Sequence, residues 1–80
     1  MLVIGRSVGC DILLDAPQVS GQHAVLILGP QGVAIEDRGS TNGTFVRGQR
    51  VYDATPIGPG DTIGFGSFVL SYDDLMRYVR

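Results

Sequence analysis

Three short stretches of this sequence concentrate hydrogen-bond donors: Gly5-Arg6-Ser7, Ser20-Gly21-Gln22-His23 and Ser40-Thr41-Asn42-Gly43. Together they offer one guanidinium, several hydroxyls, a side-chain amide and the backbone N–H groups of glycine-containing turns. Donors dominate and acceptors are few, so the ligand this set suits is an anion. Each stretch also has a plain structural reading. Asn42-Gly43, between Val33-Ala34-Ile35 and Thr44-Phe45-Val46, fits the type I′ turn of a hairpin. A turn alone, however, does not require Ser40 and Thr41 as well. Arg6 by itself would be a solvated surface group, and His23 a core or bracing residue.

Other chemistries find little support. Ser20, His23 and an aspartate could be imagined as a nucleophile triad, but no G-x-S-x-G elbow is present. One cysteine, Cys10, and one histidine cannot supply the four ligands of a usual zinc site. A Walker-type phosphate loop needs a lysine, and all six basic residues are arginines. The expectation is a protein without catalytic residues, metal or cofactor.

The donor stretches need a frame to hold them. Eighty residues suffice for one domain, 1–80, with a thin core. Twelve glycines and four prolines are spread through a chain that is 44% hydrophobic, which describes a turn-rich globular fold. Short β-branched runs recur: Leu2-Val3-Ile4, Asp11-Ile12-Leu13-Leu14, His23 to Leu28, Val33-Ala34-Ile35, Thr44-Phe45-Val46, Gln49 to Tyr52, Asp61 to Phe65 and Phe68 to Tyr72. Gly29 to Gly32, Arg47-Gly48 and Gly66-Ser67 read as hairpin turns, and Thr55 to Gly60 as a rigid, strand-poor connection. Only Asp74 to Val79 has helical character, with Asp73 as its N-cap. Seven or eight short strands with frequent turns predict an all-β antiparallel sandwich carrying a short C-terminal helix. In such a sandwich, loops at one end converge, so distant residues can line one patch.

The formal charge of −2 argues against nucleic-acid binding, which wants a basic face. No apolar run approaches a membrane span and no charged n-region with an apolar run opens the chain, so no membrane partner is expected. A lone cysteine fits a reducing compartment, and the expected location is cytoplasmic; Cys10 is expected to pack as a small apolar side chain.

The ordered set Gly5-Arg6-Ser7, Cys10 to Leu14, Val19-Ser20 with His23-Ala24, Asp37 with Ser40 to Val46, and Gly60 to Ile63 with Gly66 resembles the forkhead-associated (FHA) domains, which bind phosphothreonine peptides. The resemblance covers most of the chain. It implies that Arg6 pairs with phosphate oxygens, that Ser20 donates its hydroxyl to the same group, and that Thr41 completes the pocket and holds the threonine methyl. It further implies that Asn42 bonds the peptide main chain, that His23 braces the Ser20 loop, and that Gly5 and Gly43 let the backbone turn. Gly21 stands where many family members carry a polar or basic residue, which leaves its backbone N–H as the contact.

The implied function is phosphothreonine recognition in a partner protein within serine/threonine kinase signalling. The alternative is a phosphate-independent structural or self-association module. The family's fold usually begins with two further strands before the one at Leu2-Val3-Ile4. Their absence would leave an exposed edge, to be covered by upstream chain, by Asp73 to Arg80 or by a second chain.

Overall fold

A computed structural model describes residues 1–79, in which nine strands form two sheets and one short helix follows them. In chain order the elements are β1 (Leu2–Gly5), β2 (Ile12–Leu13), β3 (Ala24–Gly29), β4 (Gly32–Asp37), β5 (Thr44–Val46), β6 (Gln49–Val51), β7 (Thr55–Ile57), β8 (Thr62–Phe65), β9 (Phe68–Ser71) and α1 (Tyr72–Met76). One sheet has the order β2-β1-β3-β4-β7 and the other β6-β5-β8-β9. Every pairing is antiparallel except the two-residue β1–β2 bridge, which is parallel.

Alternation sets which side chains meet between the sheets, because successive strand residues point to opposite faces. Ile4, Ala24, Leu26 and Ile35 come from the first sheet, and Thr44, Val46, Ile63 and Phe65 from the second; all are buried. In register, Leu26 lies opposite Ile35 and Thr44 opposite Phe65, so the inward residues form continuous rows. Burying each large aliphatic or aromatic side chain contributes about 1.5–3 kcal/mol, and these rows are the main such source in a domain this small. Leu75 of α1 adds to the core, and Leu14, Ala16 and Val19 seal it from the loop between β2 and β3.

The sandwich agrees with the sequence expectation, and four local readings are corrected. The segment Val33-Ala34-Ile35 does not form a hairpin with Thr44-Phe45-Val46: β4 pairs with β3 and β7, while β5 pairs with β6 and β8. Residues 38–43 therefore cross from one sheet to the other. Gly43 has φ +92°, but Asn42 does not take the positive φ that a type I′ turn would demand of it. That geometry belongs instead to Arg47 (φ 53°) and Gly48 (φ 81°), the two-residue loop of the β5–β6 hairpin.

Thr55-Pro56-Ile57 is a strand and not an irregular connection. Proline is tolerated there because β7 is an edge strand and Pro56 pairs with Ala34 on one side only. The helix is capped by Ser71, whose Oγ accepts the Asp74 N–H at 3.1 Å, and Asp73 sits in the first turn. It ends at Met76 instead of running to Val79. Among the described residues β9 pairs only with β8, so one of its edges is free; α1 packs against the β8–β9 hairpin and does not add a strand to it. Arg80, the last residue of the segment expected to cover an edge, lies outside the described residues.

Candidate functional site

The β1–β2, β2–β3 and β4–β5 connections meet at one end of the sandwich, and backbone hydrogen bonds fix their mutual positions. Arg6 N–H donates to the Ser20 carbonyl at 3.0 Å and Ser7 N–H to the Gly21 carbonyl at 3.1 Å. Arg38 N–H donates to the His23 carbonyl at 3.0 Å, and Gly66 N–H to the Gly43 carbonyl at 2.8 Å. These backbone bonds tie the loops to the sheets and to one another, and side chains within the junction add to them.

His23 is fully buried at the centre of this junction. Its Nδ1 accepts the Ser20 N–H at 3.0 Å, which places the ring proton on Nε2, 2.8 Å from the Gly43 carbonyl oxygen. The ring also meets Phe65 edge-on at a centroid distance of 5.5 Å and an interplanar angle of 78°. One imidazole thus links two binding loops and the core. Both of its nitrogens are committed to backbone groups, so no Ser20–His23 proton relay exists in this geometry.

The β4–β5 loop is organised by Asp37. Its Oδ2 accepts the N–H groups of Gly39 (2.8 Å) and Ser40 (3.1 Å), and its Oδ1 accepts the hydroxyls of Ser40 (2.5 Å) and Thr44 (2.7 Å). Partial burial works to raise the Asp37 pKa, but the Ser40 and Thr44 hydroxyls and the two amides outweigh it and hold the carboxyl below its ordinary value. Ser40 is buried; having donated to Asp37, its Oγ accepts the Gly43 N–H at 3.0 Å. Ser40 is therefore an internal strut, and Thr41 and Asn42, which follow it, are exposed.

Arg6, Ser20, Thr41 and Asn42 come together around a cleft of about 160 Å³, with Pro17, Gln18 and Val19 completing its wall. Drug-sized sites occupy about 300–1,000 Å³, so this one fits a single small group. Ser20 Oγ accepts the Thr41 N–H at 3.0 Å, which leaves its own proton free to donate into the cleft. Asn42 Nδ2 donates to the Gln18 carbonyl at 2.9 Å. The two ion pairs among the described residues, Arg47–Asp61 and Arg77–Asp74, leave Arg6 without a carboxylate. The cleft thus presents a cation and hydroxyls with no acidic side chain in its lining, an arrangement that attracts an anion.

Gly5, Gly21, His23 and Gly43 are not among the residues that line the cleft. A β-carbon at Gly5 would fall 2.1 Å from the Gly21 carbonyl oxygen, so only glycine lets β1 approach the Ser20 loop this closely. Gly21 is held by its carbonyl, which accepts the Ser7 N–H and, at 3.1 Å, the Cys10 thiol. Cys10 is half-buried and bonds a loop carbonyl, in place of the apolar packing expected for it.

Sequence reasoning passed over Gln18, whose carbonyl anchors Asn42, because a backbone acceptor leaves no side-chain signal. Asp37 and Ser40 were more accessible as a frame: an aspartate three residues before a serine is a recognisable loop-forming pattern. Among the described residues there is no group of three or more metal-ligating side chains, and no helix is long and apolar enough to cross a membrane.

Comparison with known proteins places this geometry in context. The family profile described as FHA domain matches residues 2–66. The ABC transporter ATP-binding/permease protein Rv1747 of Mycobacterium tuberculosis is 41% identical over 71 residues, covering 89% of this chain and only 8% of that protein. Two solved structures superpose on most of the chain. Mycobacterium tuberculosis EmbR in complex with a low-affinity phosphopeptide has a TM-score of 0.80 at 33% identity, covering 88% of this chain and 18% of that one. The FHA-2 domain of Mycobacterium tuberculosis Rv1747 has a TM-score of 0.76 at 39% identity, covering 89% and 65% respectively.

Proposed function

The chain belongs to the FHA domain family, and from that premise we propose that residues 1–80 act as a non-catalytic module that binds phosphothreonine in a partner protein, in serine/threonine kinase signalling. The observation that carries the reading is the small cleft in which Arg6, Ser20, Thr41 and Asn42 converge. A phosphothreonine side chain brings about −1.5 to −2 charge and three acceptor oxygens, which matches a guanidinium and free hydroxyl donors. Arg6 pairs with the phosphate, Ser20 donates its hydroxyl, and Thr41 lies beside the threonine methyl. Asn42, steadied by Gln18, faces the peptide main chain. The backbone N–H of Gly21, next to Ser20 in the chain though outside the cleft lining, is a further contact assigned to the phosphopeptide by the family resemblance, and Gly5, His23 and Gly43 hold the loops in place.

The phosphopeptide seen with EmbR supports the ligand class. Titration with a peptide library containing phosphothreonine, phosphoserine or unmodified threonine at a fixed position tests the reading. Preference for phosphothreonine is the expected result, and equal binding of phosphorylated and unphosphorylated peptides removes it. The free edge of β9 motivates a second reading, phosphate-independent self-association. An Arg6→Ala variant that assembles as the parent does, with no peptide bound by either, favours that alternative.

A further inference from the structure

Another arginine without a carboxylate partner among the described residues packs against the β4–β5 loop that carries Thr41 and Asn42. The guanidinium of Arg50, on β6, lies over the bare Cα of Gly43: a β-carbon at residue 43 would meet Arg50 Nε at 2.8 Å and Cζ at 3.0 Å. Its other neighbour is the Tyr52 ring, whose centroid is 5.3 Å from Cζ. Gly43 directly follows Asn42 of the cleft. Arg50 is exposed and pairs with no carboxylate among the described residues, whereas Arg47, three positions earlier on the same hairpin, is paired with Asp61 at 3.0 Å.

In a chain of net charge −2, an arginine this close to the loops without a carboxylate partner needs an account. The simplest is a solvated side chain that keeps the edge soluble. That account leaves unexplained why the side chain is held between a loop glycine and an aromatic ring, where it loses rotamer freedom that an exposed arginine otherwise keeps. A cation fixed in advance gives up less entropy when an anion arrives, and guanidinium stacking on an aromatic face is a recurrent way of fixing it.

We propose that Arg50, held between Gly43 and Tyr52, is a specificity-determining residue that selects an acidic side chain in the peptide on the Asn42 side of the phosphothreonine. The inference rests on the phosphothreonine reading and adds the charge of the flanking residue to it. Arg50 makes no contact with the phosphate. It meets the carboxylate as an exposed ion pair, so its effect is small and screened by salt.

The experiment compares three series of phosphothreonine peptides, with glutamate, alanine and lysine respectively scanned through the flanking positions, on the parent chain, Arg50→Gln and Arg50→Glu. On the parent chain, glutamate at one flank should improve affinity over alanine by up to about fivefold, the scale of an exposed ion pair, and the gain should shrink at high salt. Arg50→Gln should abolish that gain while still binding the alanine peptide as the parent does, and Arg50→Glu should shift the preference to lysine. Reversal of the preferred charge is a result that a purely structural role of Arg50 would not produce. A flank preference unchanged by either substitution, with phosphopeptide binding intact, overturns the proposal alone. Failure of the parent chain to bind any phosphopeptide overturns the phosphothreonine reading and this proposal with it.

Discussion

The Nε2 of His23 lies 2.8 Å from the carbonyl oxygen of Gly43, twenty residues further along the chain, while its Nδ1 accepts the N–H of Ser20. Two loops that supply the cleft are therefore spaced by one imidazole ring. A residue that never touches the ligand sets the distance between the groups that would.

Replacing His23 removes both bonds and opens space against Phe65. His23→Ala should destabilise the fold by about 2–4 kcal/mol, combining a cavity with two unpaired backbone groups. Urea unfolding followed by circular dichroism measures the loss. Peptide affinity in the remaining folded fraction should also fall, because the loops lose their spacer.

Two glycines close in sequence should respond very differently to the same substitution. Gly5→Ala drives a methyl group into the Gly21 carbonyl, a backbone atom that cannot swing aside, so a loss of about 1–3 kcal/mol or more is expected. Gly9→Ala meets nothing within 4 Å and should be nearly neutral. Melting temperatures of the two variants, measured side by side, check the contrast.

Acid should weaken the fold through its bound carboxylates. The Asp37 pKa is held below its ordinary value by the Ser40 and Thr44 hydroxyls and two amides, against the opposing effect of burial; that of Asp61 is held down by the Gly58 amide and by Arg47. A lowered folded-state pKa means that the unfolded chain takes up protons first, so the stabilisation is complete above the unfolded value of about 3.9 and disappears as pH falls through the folded value. Unfolding free energy measured from pH 7 downward should hold until about pH 4 to 5 and then decline. Asp37→Asn should be less stable at neutral pH and should lose less on acidification.

How much of this was legible beforehand follows from what kind of signal each feature leaves. The strands of the sandwich were readable because β-branched alternation is a side-chain pattern, and Arg6, Ser20, Thr41 and Asn42 stood out as donor types in glycine-flanked loops. The meeting of those loops could be expected only from the sandwich form and the family resemblance, since no local signal encodes a contact across 21 residues such as that between Thr41 and Ser20. The Asn42-Gly43 reading failed because Asp37 offered the loop a stronger set of hydrogen bonds than a two-residue turn could. Pro56 concealed β7 for a related reason: its penalty depends on whether the strand is central or at an edge, which is a property of the sheet.

Charge removal should separate the arginines. Arg6→Ala should weaken phosphothreonine-peptide binding by at least about tenfold, since a charge-assisted hydrogen bond contributes roughly 1.5–3 kcal/mol and 1.4 kcal/mol is a factor of ten. Arg47→Ala, whose guanidinium is occupied by Asp61, should leave the affinity within about twofold. Isothermal titration with one peptide on both variants makes the comparison.

The most direct measurement is an amide NMR titration of the chain with a singly phosphorylated phosphothreonine peptide. Saturable shift changes centred on Arg6, Ser20, Thr41 and Asn42, and absent with the unphosphorylated peptide, are the predicted result. Changes centred instead on the apolar depression of about 370 Å³ lined by Ile27, Pro30, Val33 and Pro56, or the same changes with and without phosphate, would contradict the account.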